Sequence, residues 1–306
     1  MHYTRRQFIW LNAGAIAAAG LPSILRDSSD AGRHSLGFSL YGMKQVPLPE
    51  ALAQCARIGY RNVELALLAG YPTEPQKLSA AERKDLRYQV GSLGLSISSL
   101  NVNMALGVNE QAHSLNLDTI KVAAEFAHFL SPTNPPIIQT VLGGKSDEWN
   151  ALKEQMAGQL RAWASTAASS NIVIAVKAHV SMAVNSPERL LWLLHQVERP
   201  EIRIAYDYSH FELQGIPLKE SLAALAPYTV FVHVKDSQGS GKTGRFLLPG
   251  EGRIDYVTYF RLLEQFGYRG PVVVEVSSQI FTKPGYDPIK AAEKSYRVLN
   301  AALQVM

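Results

Sequence analysis

The sequence predicts an α/β fold, a single (β/α)8 TIM barrel. From Ser35 onward, short apolar or β-branched runs alternate with amphipathic helical patterns, with a period of about 30 residues that is typical of βα units around a parallel sheet. Acidic and imidazole side chains also gather at the ends of the late strand-like runs, which is where a barrel of this kind places its active site. Both observations favour one barrel over two smaller domains.

Eight strand candidates follow one another along the chain, and eight parallel strands suffice to close a barrel. Each is a short apolar run that is bounded by polar residues or glycine. The predicted strands cover residues 36–41, 62–67, 96–101, 137–142, 173–178, 203–207, 230–235 and 272–276.

Amphipathic stretches lie between these strands and predict the outer ring of helices. Four of them have a start signal: Ser79, Asp147, Ser186 and Asp255 stand at the expected N-caps. The predicted helices cover residues 48–58, 80–93, 115–129, 148–168, 187–197, 218–226, 256–266 and 288–303.

An open, doubly wound sheet also alternates strands and helices, so it is the competing architecture. Its dinucleotide-binding turn, Gly-x-Gly-x-x-Gly after the first strand, is missing from the sequence. Gly37, Gly42 and Gly59 have the wrong spacing for that turn. The barrel is therefore favoured.

The N-terminus resembles a twin-arginine export signal. Arg5 and Arg6 precede an uncharged apolar stretch over residues 10–25, which is near the lower length limit for crossing a bilayer. We expect residues 1–33 to be this signal and a linker, residues 34–306 to be the barrel, and the protein to be periplasmic or otherwise exported. An uncleaved anchor or an ordinary N-terminal helix is the alternative. We expect no stable membrane span after signal removal.

The charge balance argues against a nucleic-acid partner. The whole chain has a net charge of +4, and four basic and two acidic residues lie within 1–33, so the remainder is nearly neutral. A basic DNA- or RNA-binding face is therefore not expected, and a small polar molecule is the favoured partner. Cys55, the single cysteine, falls in a helical apolar pattern and is expected to be a buried thiol without chemistry.

Three strand ends carry the groups that point to chemistry. Asp207-Tyr208-Ser209-His210 ends the sixth predicted strand, His233-Val234-Lys235-Asp236 ends the seventh, and Glu275 lies in the eighth. Because the C-terminal ends of barrel strands surround one cavity, we expect these side chains to meet there.

These motifs resemble the xylose isomerase-like barrel superfamily of sugar and sugar-phosphate isomerases and epimerases. The resemblance covers roughly residues 35–303 and includes Gly-Tyr-Arg-Asn-Val-Glu-Leu over 59–65 and Pro-Gly-Glu-Gly-Arg-Ile-Asp over 249–255. It implies a carbohydrate substrate and a divalent cation (Mn²⁺, Mg²⁺, Co²⁺ or Zn²⁺), which a strand-5 Glu and Asp207, His233 and Glu275 would hold.

Lys177 stands where the family has the strand-5 glutamate. An ammonium group cannot ligate a cation, so three outcomes are open. Lys177 replaces the metal and pairs with Asp207 and Glu275, which leaves a site without a cofactor. Alternatively, it points away while Asp207, His233 and Glu275, with His179 as a candidate further ligand, bind a metal with weakened affinity. In the third outcome, Lys177 loses its proton and acts as a base or Schiff-base amine.

The resemblance implies proton transfer next to the carbonyl of a carbohydrate or polyol derivative. Because Lys177 stands in place of a glutamate, we expect Glu275, Lys177 and His210 to be the catalytic residues. In the related epimerases two opposed glutamates exchange the proton, and only Glu275 remains here. Glu275 would take the proton, and Lys177 or His210 would return one. The product is then an isomer or an epimer.

Two other functions remain open at this point. A leaving group on the β-carbon of a keto-sugar would make the enzyme a lyase or dehydratase. A barrel that has lost its metal could instead be a non-catalytic sugar-binding protein. The clustering of Asp207, His210, His233 and Glu275 favours an enzyme.

Four further residues are predicted to bind substrate: Glu64, His179, Lys235 and Arg253. Glu64 ends the second strand, and strand alternation places His179 on the same face as Lys177. Lys235 shares a face with His233, although a salt bridge with Asp236 is an equal alternative. Arg253 lies in the loop after the seventh strand and is expected to close over substrate.

Overall fold

Eight parallel strands close into a barrel, and two further strands pair as an antiparallel hairpin outside it. The computed structural model describes residues 34–306, and this closed barrel confirms the predicted TIM-barrel fold. The strands are β1 Leu36–Ser39, β2 Asn62–Ala66, β3 Ser96–Asn101, β4 Ile137–Val141, β5 Ile174–Lys177, β6 Ile202–Asp207, β7 Thr229–Val234, β8 Asp236–Gln238, β9 Arg245–Leu247 and β10 Val272–Val274. Their order around the barrel is β1-β10-β7-β6-β5-β4-β3-β2, and β8 and β9 form the hairpin.

The helices surround the barrel and end close to the predicted positions. They are α1 Leu48–Ile58, α2 Ala80–Ser92, α3 Glu110–Leu130, α4 Trp149–Ser169, α5 Pro187–Val197, α6 Tyr208–Glu212, α7 Leu218–Leu225, α8 Tyr256–Gln265, α9 Ser278–Phe281 and α10 Pro288–Gln304. Ser79, Ser186 and Asp255 cap α2, α5 and α8 with their side chains, as predicted. Ser79 and Glu82 form a reciprocal capping box.

Two helix starts differ from the prediction. Helix α3 begins five residues early because the side chain of Asn109 accepts a hydrogen bond from the Ala112 N–H. The prediction that Asp147 caps α4 is wrong. Glu148 precedes that helix, and its carboxylate accepts from the Lys145 N–H instead.

Period-two alternation along the strands builds the site. Five strands each place one apolar residue in a cluster inside the barrel, namely Ile137, Ala175, Ala205, Phe231 and Val273. Two residues further along each strand, on the same face, the chain has Gln139, Lys177, Asp207, His233 and Glu275. The apolar cluster therefore forms the layer of the barrel interior directly below the polar groups.

Asp236 holds the loop that follows the hairpin. Its carboxylate accepts backbone N–H bonds from Ser237 at 3.0 Å, Gly250 at 3.0 Å and Ile254 at 3.2 Å. Gly252 lies against this carboxylate so closely that an added Cβ would stand 2.2 Å from Asp236 Oδ1. The suggested Lys235–Asp236 salt bridge is therefore wrong, because the Asp236 carboxylate accepts hydrogen bonds from the loop backbone instead.

Cys55 is a buried thiol that takes no part in chemistry, as expected. The residue is fully buried in the core, and burial raises the pKa of its thiol to about 12. Among residues 34–306, no helix is long and apolar enough to span a membrane. The expected export signal over residues 1–33 lies outside the described residues.

Candidate active site

Two lysines hold Glu275 at the centre of the barrel mouth. Lys177 Nζ lies 2.7 Å from Glu275 Oε1, and Lys235 Nζ donates to Glu275 Oε2 and to Asp207 Oδ2. Each lysine is 2% exposed. Charge-assisted hydrogen bonds of this kind in a buried site are strong and fix the position of each group.

The two ammonium groups set the ionisation of the carboxyl groups. Burial by itself would raise the pKa of Asp207, but Lys235 and His210 hold it well below the usual value. Burial would likewise raise the pKa of Glu275, and Lys177, Lys235 and His233 together hold it well below the usual value. Both carboxyl groups are therefore ionised at neutral pH.

Lys235 responds in the opposite direction. Burial would lower its pKa, but the charges of Asp207 and Glu275 outweigh that effect and raise the pKa above the ordinary value. Lys235 is therefore a cation in the free protein. It cannot act there as a neutral amine for Schiff-base chemistry.

Glu64 fixes the tautomer of His233 from the other side of the barrel. Its carboxylate accepts from Ser39 Oγ at 2.6 Å and from Ser99 Oγ at 2.7 Å, and it lies 3.1 Å from His233 Nε2. Because a carboxylate only accepts, His233 Nε2 carries the proton. The remaining ring nitrogen, Nδ1, then accepts from Lys177 Nζ at 3.1 Å.

Glu64 is thus a positioning group within the site. Burial would raise the pKa of Glu64, but contact with His233 and the bond from Ser39 lower it. The predicted direct role of Glu64 in substrate binding stays a prediction. The structure shows it fully buried behind His233.

His210 has one ring nitrogen without a hydrogen-bond partner. Its Nδ1 accepts from the Val180 N–H at 3.3 Å, whereas Nε2 lies 3.4 Å from Asp207 Oδ2 without a hydrogen bond. Burial and the charge of Lys235 lower the pKa of His210 to about 4. His210 is therefore neutral at physiological pH, and it lines the cavity.

His179 packs beside His210, with ring centroids 4.3 Å apart, and lines the same cavity. Burial and the neighbouring His210 lower the pKa of His179 to about 2, so this imidazole is neutral as well. Arg253 is placed elsewhere. Its guanidinium pairs with Glu212 and donates to the Gly239 carbonyl, and Arg253 is not part of the cavity wall. Its expected closure over substrate stays a prediction.

The possible metal ligands differ from the expected set. Asp207, His210 and Glu275 bring one ligand atom each within 4.8 Å of one another, whereas both nitrogens of His233 already have partners. The carboxylate oxygens of this trio accept from Lys177 and Lys235. As arranged, the donor set does not fit a divalent cation, because two ammonium groups already neutralise the charge that would hold it.

The ionic centre opens into a cavity of about 1010 Å³. Gln139 lines it from β4, the strand next to that of Lys177, and its side-chain oxygen has no hydrogen-bond partner although the residue is buried. Asn101, its register partner on β3, also lines the cavity. Sequence reasoning missed both amides, although the period of two that places Lys177 also places Gln139.

The fold and the site together define an α/β barrel with a buried ionic centre at the C-terminal ends of its strands. A model of the xylose isomerase-like TIM barrel family matches residues 52–302. The chain belongs to that family.

Several characterised proteins are similar to this chain. It is 25% identical over 245 residues to an L-ribulose 3-epimerase of Methylomonas sp. (strain DH-1), covering 77% of this chain and 80% of the relative. It is 22% identical over 262 residues to an inosose dehydratase of Geobacillus kaustophilus (strain HTA426), covering 76% and 83%. A solved structure of the IolI protein with a bound zinc atom has the same fold, with a TM-score of 0.73 at 19% identity over 88% of this chain and 99% of that one.

Proposed function

We propose that the protein is a sugar isomerase or epimerase that moves a proton on the carbon next to a carbonyl of a carbohydrate or polyol derivative, without a metal ion. One observation carries this proposal. Both oxygens of Glu275 are bonded to buried ammonium groups, Lys177 on Oε1 and Lys235 on Oε2, at the base of an open cavity. The similarity to an L-ribulose 3-epimerase supports a sugar substrate.

The chemistry follows from the charges. Removal of the proton forms an enediolate, whose negative charge develops on the former carbonyl oxygen. A preorganised ammonium group stabilises that charge and lowers the barrier. Glu275 accepts the proton, Lys177 returns one to carbon, and the contact of 2.7 Å between Lys177 and Glu275 restores both groups for the next turnover. His210 donates from Nε2 to a substrate oxygen.

A metal-free centre departs from what the family resemblance implies. In place of a metal ion, Lys177 and Lys235 supply two positive charges beside Asp207 and Glu275. Glu64 supports the pair indirectly by fixing His233, which accepts from Lys177.

Dehydration of a keto-sugar is the second candidate, and the similarity to an inosose dehydratase favours it. It shares the first step, removal of the α-proton. The hydroxyl group on the β-carbon then departs as water with the proton that Glu275 removed, in place of reprotonation at carbon, which gives an unsaturated product.

The experiment is solvent-deuterium incorporation into a panel of ketoses, keto-glycosides and inososes by the purified full chain, followed by NMR. We expect a deuteron at the carbon next to the carbonyl of at least one substrate. Loss of water with a new alkene signal would identify the dehydratase instead. If no substrate of the panel exchanges a proton, the result would contradict the proposed enzymatic activity and favour a non-catalytic sugar-binding barrel.

We also propose export through the twin-arginine route, which Arg5 and Arg6 ahead of an apolar stretch support. N-terminal sequencing of protein from the periplasmic fraction tests this proposal. We expect a shortened chain there, and a full-length chain confined to the cytoplasm would contradict export.

A further inference from the structure

The cavity is larger than a single sugar ring requires. Its volume of about 1010 Å³ lies at the top of the range of about 300–1,000 Å³ that is usual for drug-sized ligands. The ionic groups line it from the ends of the barrel strands. Much of the remaining wall comes from the segments after β1 and β2, from α3 and from α9.

An aromatic wall forms part of this second region. Tyr41 and Tyr71 stack with ring centroids 5.7 Å apart and planes 13° apart, and the edge of Phe281 meets Tyr41 at 5.0 Å and 87°. Tyr71 Oη donates to the Tyr41 carbonyl at 3.1 Å, which holds the two rings together. All three residues line the cavity.

Apolar side chains of α3 line the same space. Leu115 and Val122 are among the few large apolar side chains that residues 34–306 leave exposed, at 63% and 39%, and both belong to the cavity wall. Covering apolar surface that faces water within a binding cavity with an apolar part of a ligand makes binding more favourable. A free pentose or hexose, which is polar on most of its surface, would gain little there.

We infer that the substrate is a keto-glycoside, in which the sugar that carries the keto group occupies the ionic centre and a ring-shaped apolar aglycone occupies a second subsite formed by Tyr41, Tyr71, Phe281, Leu115 and Val122. This inference rests on the proposed function for the position of the reacting sugar. Tyr41 and Phe281 are partly exposed and offer ring surface to the aglycone, whereas Tyr71 is buried and supports Tyr41 from its stacked position. Leu115 and Val122 add aliphatic contacts from α3. Gln139 and Asn101, on the two strands that precede β5, line the same cavity and are placed to bond sugar hydroxyl groups.

The test is calorimetric binding of matched 4-nitrophenyl and methyl glycosides, in several sugar configurations, to the full chain. We expect the aryl glycoside of at least one sugar to bind about tenfold more tightly than its methyl partner, on the scale of an aromatic contact plus apolar burial. Tyr71→Ala and, independently, Val122→Ser are expected to remove most of that advantage. Val122 is exposed, so its variant keeps the test valid if the Tyr71 variant fails to fold.

Tyr88→Ala is the matched control, because Tyr88 is 79% exposed on α2 and outside the cavity. It should leave the advantage unchanged. The inference is overturned if aryl and methyl partners bind alike or not at all, if both variants keep the advantage, or if 4-nitrophenol alone binds as tightly as its glycoside. Tighter binding of the aryl glycoside without deuterium exchange would contradict the proposed enzymatic activity but support the aglycone subsite. Deuterium exchange without tighter aryl binding would support the activity and contradict the subsite.

Discussion

Glu275→Gln is expected to lower the rate of deuterium exchange by about 10²–10⁴-fold, the usual contribution of a positioned general base. The amide keeps the size of the side chain and one oxygen acceptor. It removes the negative charge and the basic site between Lys177 and Lys235. The measurement is the initial exchange rate on whichever substrate the wild type labels, together with the affinity for that substrate.

Glu293→Gln makes the same chemical change on α10, at a surface ion pair with Arg57 and outside the cavity. Its exchange rate should equal that of the wild type. A Glu275→Gln protein that folds and still exchanges within about threefold of the wild type, far from the expected loss for a base, would show that another group takes the proton.

Lys177→Met is expected to lower the free energy of unfolding by about 3–5 kcal/mol, the usual cost of removing one partner from a buried ion pair. The methionine fills similar volume but leaves Glu275 Oε1 and His233 Nδ1 without their donor. Urea unfolding followed by circular dichroism gives the free energy directly, provided that the transition is two-state.

Lys121→Met serves as the matched control, since Lys121 pairs with Asp118 on the surface with both side chains more than half exposed. Exposed pairs contribute about 0–1 kcal/mol, so this variant should unfold close to the wild type. Equal stability of the two lysine variants would mean that Lys177 is not ion-paired within the barrel.

The barrel could be predicted from the sequence because its signals are local. Apolar runs and helix caps such as Ser79 and Asp255 depend on residues a few positions apart, and the structure keeps both caps. The hairpin β8–β9 was missed because its strands have three residues each and little apolar content.

The sequence predicted which residues form the site, but not which side chains contact each other within it. Strand alternation places Lys177, Asp207 and His233 on the inner face of three neighbouring strands, and the structure brings them together. Where a flexible four-carbon side chain ends is decided by partners far along the chain. Lys235 therefore reaches Asp207 and Glu275 rather than its neighbour Asp236.

The contacts of Arg253 show the same limit for a loop. They depend on the path of residues 249–255, which Asp236 fixes through backbone bonds that no local pattern reveals. The guanidinium then reaches Glu212 on α6, a helix that the sequence patterns did not predict. Long-range charge pairing therefore decides details that periodicity cannot.

The most direct test of the account is the metal content of the purified wild type and of Lys177→Glu. Both are incubated with Mn²⁺, Zn²⁺ and Mg²⁺, freed of loosely bound ions and analysed for bound elements, beside the exchange rate of the wild type before and after chelation. We predict an empty wild type that keeps its activity and a Lys177→Glu protein that retains a cation, because a third carboxylate replaces an ammonium group beside Asp207 and Glu275. A wild type that holds one metal ion per chain and loses its activity on chelation would contradict the claim that lysines take the place of the cation.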